Sequence, residues 1–90
     1  MTATDRTQAV DSCIQSLMDL ADRSGGFPEA GSVQQVVLAT LEIVGKDAVE
    51  PTKGRTMLED SLLTKANLVA PAAPEVAGVL MQAYQVTATS

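Results

Sequence analysis

The 90-residue sequence has no histidine and no tryptophan, a single cysteine, and only two aromatic residues, Phe27 and Tyr84. Without histidine, neither a Ser-His nor a Cys-His nucleophile pair can form, so the sequence indicates a protein that is not an enzyme. A lone cysteine cannot form an internal disulfide, which favours a reducing compartment. The core must be built from aliphatic side chains, and Cys13 is predicted to belong to it.

Basic residues are also scarce: six lysines and arginines stand against eleven acidic residues, for a net charge of −5. Nucleic-acid binding depends on clustered basic side chains that neutralise phosphates, and this sequence has no such cluster. No apolar run is long enough to span a bilayer, and the first residues lack the apolar stretch of a signal peptide. We expect a cytoplasmic protein that binds neither nucleic acid nor membrane and needs no cofactor or metal.

Hydrophobic periodicity predicts an all-α fold, a small bundle of three to four amphipathic helices in a single domain of residues 1–90. Residues 1–4 and 87–90 are expected to be frayed. The predicted helices run from about Asp5 to Arg23, from Ser32 to Gly45, from Thr56 to about Val69, and from Pro74 to about Val86.

The helix ends carry recognisable signals. Ser32 with Gln35, and Thr56 with Glu59, have the spacing of capping boxes that open the second and third helices. Gly25 and its neighbour Gly26 are predicted to end the first helix. The Ala-Pro-Ala-Ala-Pro segment ends the third, because proline cannot continue a helix interior.

The second helix has an alternative, because residues 35–44 are rich in β-branched side chains and could form a buried strand in an α+β fold. As a helix, the segment places Leu38 on its polar side. Its apolar side is predicted to contain Val33, Val36, Val37, Leu41, Ile43, Val44 and Ala48.

Charge is unevenly distributed along the chain. Glu75 is the only charged residue between Ala66 and Ser90, and Glu42 is the only one between Ser32 and Gly45. Apolar arcs as broad as that of the last helix need a second surface to cover them, which favours protein association over a monomer with an uncharged surface. The predicted contact residues are Leu38, Val79, Leu80, Met81 and Tyr84, with Tyr84 leading as an aromatic residue with a polar tip.

The first helix is predicted to present an acidic face to solvent or to a basic partner. Asp11, Asp19 and Asp22 lie on the side opposite its apolar residues. Two of these carboxylates are three residues apart, but two carboxylates without further ligands make a poor metal site.

The triplet Asp60-Ser61-Leu62 resembles the attachment signature of acyl and peptidyl carrier proteins, which are also small, acidic and helical. The resemblance implies that Ser61 would carry a phosphopantetheine group. In that family the serine begins its helix, whereas the Thr56 capping box places Ser61 inside one. Ser61 is therefore predicted to be a polar-face helix residue.

Together these patterns predict a small helical protein that acts through protein–protein association. The favoured form is a self-associating structural or assembly subunit, a homo-oligomer. The alternative is a small acidic adaptor, chaperone or inhibitor that binds a different protein, and the outside alternative is a carrier domain modified at Ser61.

Overall fold

The chain folds as an all-α bundle, as the sequence predicts, in a computed structural model that describes residues 3–25, 28–45, 49–50 and 54–89. Its four helices are α1 (Ala3–Arg23), α2 (Ala30–Val44), α3 (Met57–Val69) and α4 (Pro74–Thr89). Between α2 and α3, the two-residue strands β1 (Val49–Glu50) and β2 (Arg55–Thr56) pair antiparallel. Val49 lies opposite Thr56, and Glu50 lies opposite Arg55.

The alternative of a strand at residues 35–44 is wrong, because these residues lie within α2. The inward residues Val33, Val37, Thr40 and Val44 recur every three or four positions, as on one side of a helix. A strand would bury alternate residues instead. Tertiary packing of this valine-rich side outweighs the modest helix penalty of β-branched residues.

Two further details of α2 differ from the prediction. The helix begins at Ala30 with Glu29 as its N-cap, so Ser32 lies inside the first turn and does not cap it. Ile43 was predicted to be buried and is 43% exposed, because it lies at the edge of the inward side. Ala48, also predicted for that side, lies outside the described residues.

Glycines end the first two helices where the backbone turns left-handed. Gly25 follows α1 with φ 68°, and Gly45 follows α2 with φ 65°. The Gly45 N–H donates to the Leu41 carbonyl at 2.8 Å, which satisfies one of the last carbonyls of the helix. A side chain would strain the backbone at either position.

The start of α3 confirms the predicted N-cap. The hydroxyl of Thr56 accepts a hydrogen bond of 3.1 Å from the backbone N–H of Glu59. The helix ends at Val69, and Pro74 is the first residue of α4, both as predicted. The backbone N–H of Ala73 donates to the Val69 carbonyl at 2.7 Å, which closes the short turn between the two helices.

The core is aliphatic, and α4 supplies its centre. This helix packs against each of the other three, most extensively against α3, and it contacts both α1 and α2. All four helices contribute buried side chains: Val10, Cys13, Leu17, Ala21, Val33, Val37, Val44, Leu58, Leu62, Ala66, Val79, Leu80 and Ala83. The predictions of a buried Cys13 and of an aliphatic core are confirmed.

The position of α4 overturns part of the predicted contact surface. Val79 and Leu80 have no exposed area, so a second protein cannot reach them. Between Val76 and Thr87 only Gln85 is exposed. Its broad apolar arc is therefore covered by the other helices of the same chain, and its lack of charge follows from burial.

Candidate association surface

The predicted contact residues lie in three different environments. Val79 and Leu80 are in the core, whereas Met81 and Tyr84 are half-buried and pack against it. Leu38 is on α2 and is 42% exposed. Of the five residues, Leu38 alone is open enough to lead a contact with another molecule.

Leu38 belongs to a stripe that follows the solvent side of α2. We call this stripe the outward face of α2. Its exposed residues are spaced by three or four positions, as expected for one side of a helix. They are Gly31, Gln34, Gln35, Leu38, Ala39, Glu42 and Ile43.

The outward face of α2 combines exposed aliphatic side chains with a shortage of charge. Leu38 and Ile43 are two of the three large exposed hydrophobic residues in the part of the chain that the structure describes. Glu42 is the only charged residue in the helix. Solvent-facing helix sides are ordinarily rich in charged residues, so this face is poor in charge for a solvent-facing one.

A groove borders this face where α2 meets the start of α3 and the end of α4. Its volume is about 540 Å³, and Leu38 and Leu41 form its apolar wall. Two carboxylates, Glu42 and Glu59, also line it. Within the described residues, neither carboxylate has an ion-pair partner. The groove therefore suits an apolar group that carries a positive charge.

A second groove, of about 390 Å³, borders the face on the side of α1. Ala39, Thr40 and Ile43 line it from α2, and small residues such as Ala9 and Ser12 line it from α1. Ile43 lines this groove and is 43% exposed. Asp5 lies at the same groove and adds negative charge.

The three aspartates of the predicted acidic face are all exposed on α1. The Gln15 amide donates to a carboxylate oxygen of Asp19 at 3.1 Å, one turn along the helix. Asp19 and Asp22 line a shallow depression together with Arg23. Nothing in the described residues brings three potential metal ligands together. A role for this face in binding a partner stays a prediction.

Ser61 lies inside α3, as predicted, five residues into the helix and half-buried. Its neighbours along a small groove between α1 and α3 include Ile14, Lys65 and the exposed Leu68. Ser61 is the fifth residue of α3 and does not begin the helix, whereas a phosphate bound at a helix N-terminus would require a residue at its start. Its modification stays a prediction.

Cys13 is 2% exposed and lies in the core. Desolvation by burial raises the pKa of its thiol, and a hydrogen bond with the Thr40 side chain lowers it by less. The thiol is therefore neutral near pH 7 and is shielded from reagents. These properties are typical of a structural cysteine.

In three comparisons with known proteins, the chain matches no family model, no curated protein and no solved structure. None of the described helices is long and apolar enough to cross a membrane.

Only some residues of the outward face of α2 could be predicted from the sequence. The exposure of Leu38 could be predicted because this residue falls on the polar side of its helix. The shortage of charge in α2 could be read directly from the sequence. The contribution of Ala39, Glu42 and Ile43 was missed. An apolar residue at the edge of a helix face cannot be assigned from periodicity alone, because the neighbouring helix decides whether it is covered.

Proposed function

We propose that the chain is a small non-enzymatic helical protein that works by self-association, as a structural or assembly subunit of a homo-oligomer. The outward face of α2 is the proposed contact surface. The buried, neutral Cys13 thiol suits a reducing compartment, and we place the protein in the cytoplasm.

One observation supports this proposal above the others: the outward face of α2 exposes Leu38 and Ile43 while carrying the single charge of Glu42. Four of the five predicted contact residues lie on α4, whose apolar arc is covered within the chain. On α2 the shortage of charge coincides with exposure, so burial in the monomer does not account for it.

The same surface sets the expected strength. Completing the burial of Leu38 and Ile43 contributes about 1 kcal/mol each, since each is already more than half covered. Association itself costs at least about 4 kcal/mol in lost translational and rotational freedom. Even when both copies are counted, these contributions only about offset that cost, so we expect weak association that has to be measured over a concentration series.

The test is light scattering coupled to size-exclusion chromatography, with the chain loaded at increasing concentrations. We expect the average mass to rise above the 9.4 kDa of one chain. Leu38→Lys is expected to return it to 9.4 kDa, because it places a charge in the contact while keeping a good helix former. Leu68→Lys is the matched control, since Leu68 is 70% exposed on α3.

Three outcomes would count against the proposal. A wild-type chain that stays monomeric at the highest concentration contradicts self-association. An oligomer that survives Leu38→Lys places the contact elsewhere, and an oligomer lost equally in Leu68→Lys shows an effect of charge and not of position. Circular dichroism of each variant verifies that the helices remain folded.

The groove that contains Glu42 and Glu59 favours a second candidate, a small acidic adaptor or inhibitor that binds a basic amphipathic segment of another protein. A synthetic helical peptide of leucine and lysine is the probe, and its counterpart with glutamate for lysine is the control. Binding that Glu59→Gln weakens and Glu75→Gln leaves unchanged would support this candidate. Equal binding of both peptides would exclude it.

A further inference from the structure

The groove where α2 meets the start of α3 and the end of α4 has the size of a small-molecule site. Its volume of about 540 Å³ lies within the range of roughly 300–1,000 Å³ that is usual for ligand pockets. The α2 residues that line it run from Leu38 to Gly45, a length of about 10 Å at a rise of about 1.5 Å per residue. A helix of three turns is about 16 Å long and would extend beyond this length. The groove therefore fits a compact ligand better than a helix.

The lining of this groove combines apolar side chains with negative charge. Leu38 is 42% exposed, and Leu41 is partly buried. Glu42 and Glu59 line the same groove, and among the residues that the structure describes no basic residue does so. An anionic ligand would meet two like charges there, whereas a cation is attracted.

The hydroxyl groups at the groove are engaged within the chain. The Thr56 hydroxyl accepts a hydrogen bond of 3.1 Å from the Glu59 N–H, and the Thr87 hydroxyl donates to the Tyr84 carbonyl at 2.6 Å. The carboxylates of Glu42 and Glu59 are therefore the main polar groups offered to a ligand. The Thr56 bond also fixes the backbone of Glu59 in the first turn of α3.

A metal ion is a less suitable occupant than an organic cation. Within the described part of the chain, no three metal-ligating side chains come together, and hard cations usually take about six oxygen ligands. Two leucine side chains contribute nothing to the binding of an ion. They can cover the apolar body of an amine, which removes that surface from water.

The other acidic depressions among the described residues lack this combination. In the depression formed by Asp19 and Asp22, the neighbouring Arg23 supplies a positive charge. In the groove between α1 and α3, Lys65 lines the wall together with Asp60. A third depression, where the end of α1 meets the start of α4, has a volume of about 130 Å³, too small for a typical ligand.

We infer that the groove of about 540 Å³ is a binding site for a small organic cation. The ligand is an amine whose apolar body packs on Leu38 and Leu41 and whose ammonium group contacts Glu42 and Glu59. The inference goes beyond the proposed self-association, because one copy of the chain contains the whole site.

An NMR titration with 4-phenylbutylammonium chloride tests the site, because this probe joins an apolar body to a positive end. Amide spectra are recorded on ¹⁵N-labelled protein at a concentration where light scattering gives the 9.4 kDa of one chain. We expect saturable shifts centred on the amides of residues 38–45 and 56–59. The control probe, 4-phenylbutyrate, has the same body and the opposite charge, and we expect it to bind at least about fivefold more weakly.

Glu42→Gln and Glu59→Gln remove the charges of the groove and preserve the size of the side chains. Each is expected to weaken binding of the amine about two- to fivefold, and the double variant is expected to weaken it further. Glu75→Gln is the matched control, since it removes one exposed charge at the opposite end of α4. It is expected to leave the dissociation constant unchanged at about 0.15 M salt, where charges more than about 8 Å apart are largely screened.

The outcomes separate this inference from the proposed function. Absence of saturable shifts at millimolar amine overturns the inference, and so does equal binding of the two probes or an equal loss in Glu75→Gln. Binding of the leucine–lysine peptide to a chain that does not bind the amine overturns it in favour of the adaptor. A chain that binds the amine and stays monomeric at every concentration contradicts self-association and supports the site.

Discussion

Val79 and Leu80 show how the surroundings of a side chain decide its role. Both are apolar residues on a helix with almost no charge, which in isolation suggests a contact surface. In the bundle neither has exposed area, and both contact the core. Leu38 is of the same chemical type as Leu80 but faces solvent over 42% of its surface. Replacing Leu80 is therefore expected to lower the free energy of unfolding more than replacing Leu38.

We predict that Leu80→Ala lowers the free energy of unfolding by about 2–5 kcal/mol, because it removes buried methyl groups and leaves a cavity. Leu38→Ala is expected to lower it by less than about 1 kcal/mol, since the side chain is partly solvated and alanine favours the helix. Urea denaturation followed by circular dichroism measures both, at a concentration where the chain is monomeric. Similar losses in the two variants would mean that Leu80 is not a core residue.

At the scale of the element, the helix boundaries depend on a few specific interactions. Thr56 ends β2 and caps α3, so one residue connects the strand pair to the helix. Nearby, an Arg55 guanidinium nitrogen lies 3.6 Å from a carboxylate oxygen of Asp60. Both groups are partly exposed, so this ion pair contributes little compared with the cap.

We predict that Thr56→Ala lowers the unfolding free energy by about 1 kcal/mol, because the N–H of Glu59 loses its acceptor. Thr56→Ser retains the hydroxyl and is expected to retain most of the stability. Thermal and urea unfolding of the three proteins measure the difference. If the serine variant were as unstable as the alanine variant, the threonine methyl group and not the hydrogen bond would be responsible.

Helix α2 shows what periodicity can predict and where it fails. Its inward residues, its helical character and the exposure of Leu38 could be predicted, because they follow from the 3.6-residue repeat. Its true N-cap could not, because Glu29 carries no favourable capping signal and Ser32 does. The burial of α4 on nearly all sides could not be predicted from the sequence either, because it depends on which helix lies at the centre of the bundle. That arrangement is a property of tertiary packing.

For the whole molecule, the dimensions match those of a self-contained monomer. The radius of gyration is 12.3 Å, against about 12 Å expected for a compact chain of this length. The accessible surface is 5310 Å², against about 5000 Å² expected for a folded monomer of this mass. The core is closed within one chain, so association would add to a fold that is already complete.

We therefore predict that the chain remains folded when it is diluted to concentrations at which any oligomer dissociates. Thermal unfolding monitored by circular dichroism is expected to stay cooperative, with a midpoint that no longer changes on further dilution. Leu38→Lys is the comparison, because it is expected to show this limiting midpoint at every concentration. A wild-type midpoint that continues to fall until the helix signal is lost would show an obligate oligomer.

The central position of α4 has a consequence for synthesis of the chain. During translation α1, α2 and α3 leave the ribosome before the helix that all three contact. The apolar sides of α1 and α2 can cover each other. The rest of the core cannot form until α4 has been synthesised and packs against α3 across their short turn. Folding is then completed when the α3–α4 hairpin docks on the α1–α2 hairpin. Nascent chains that end before Pro74 would thus present the aliphatic surface that the finished protein conceals, and chaperones would recognise them as incomplete.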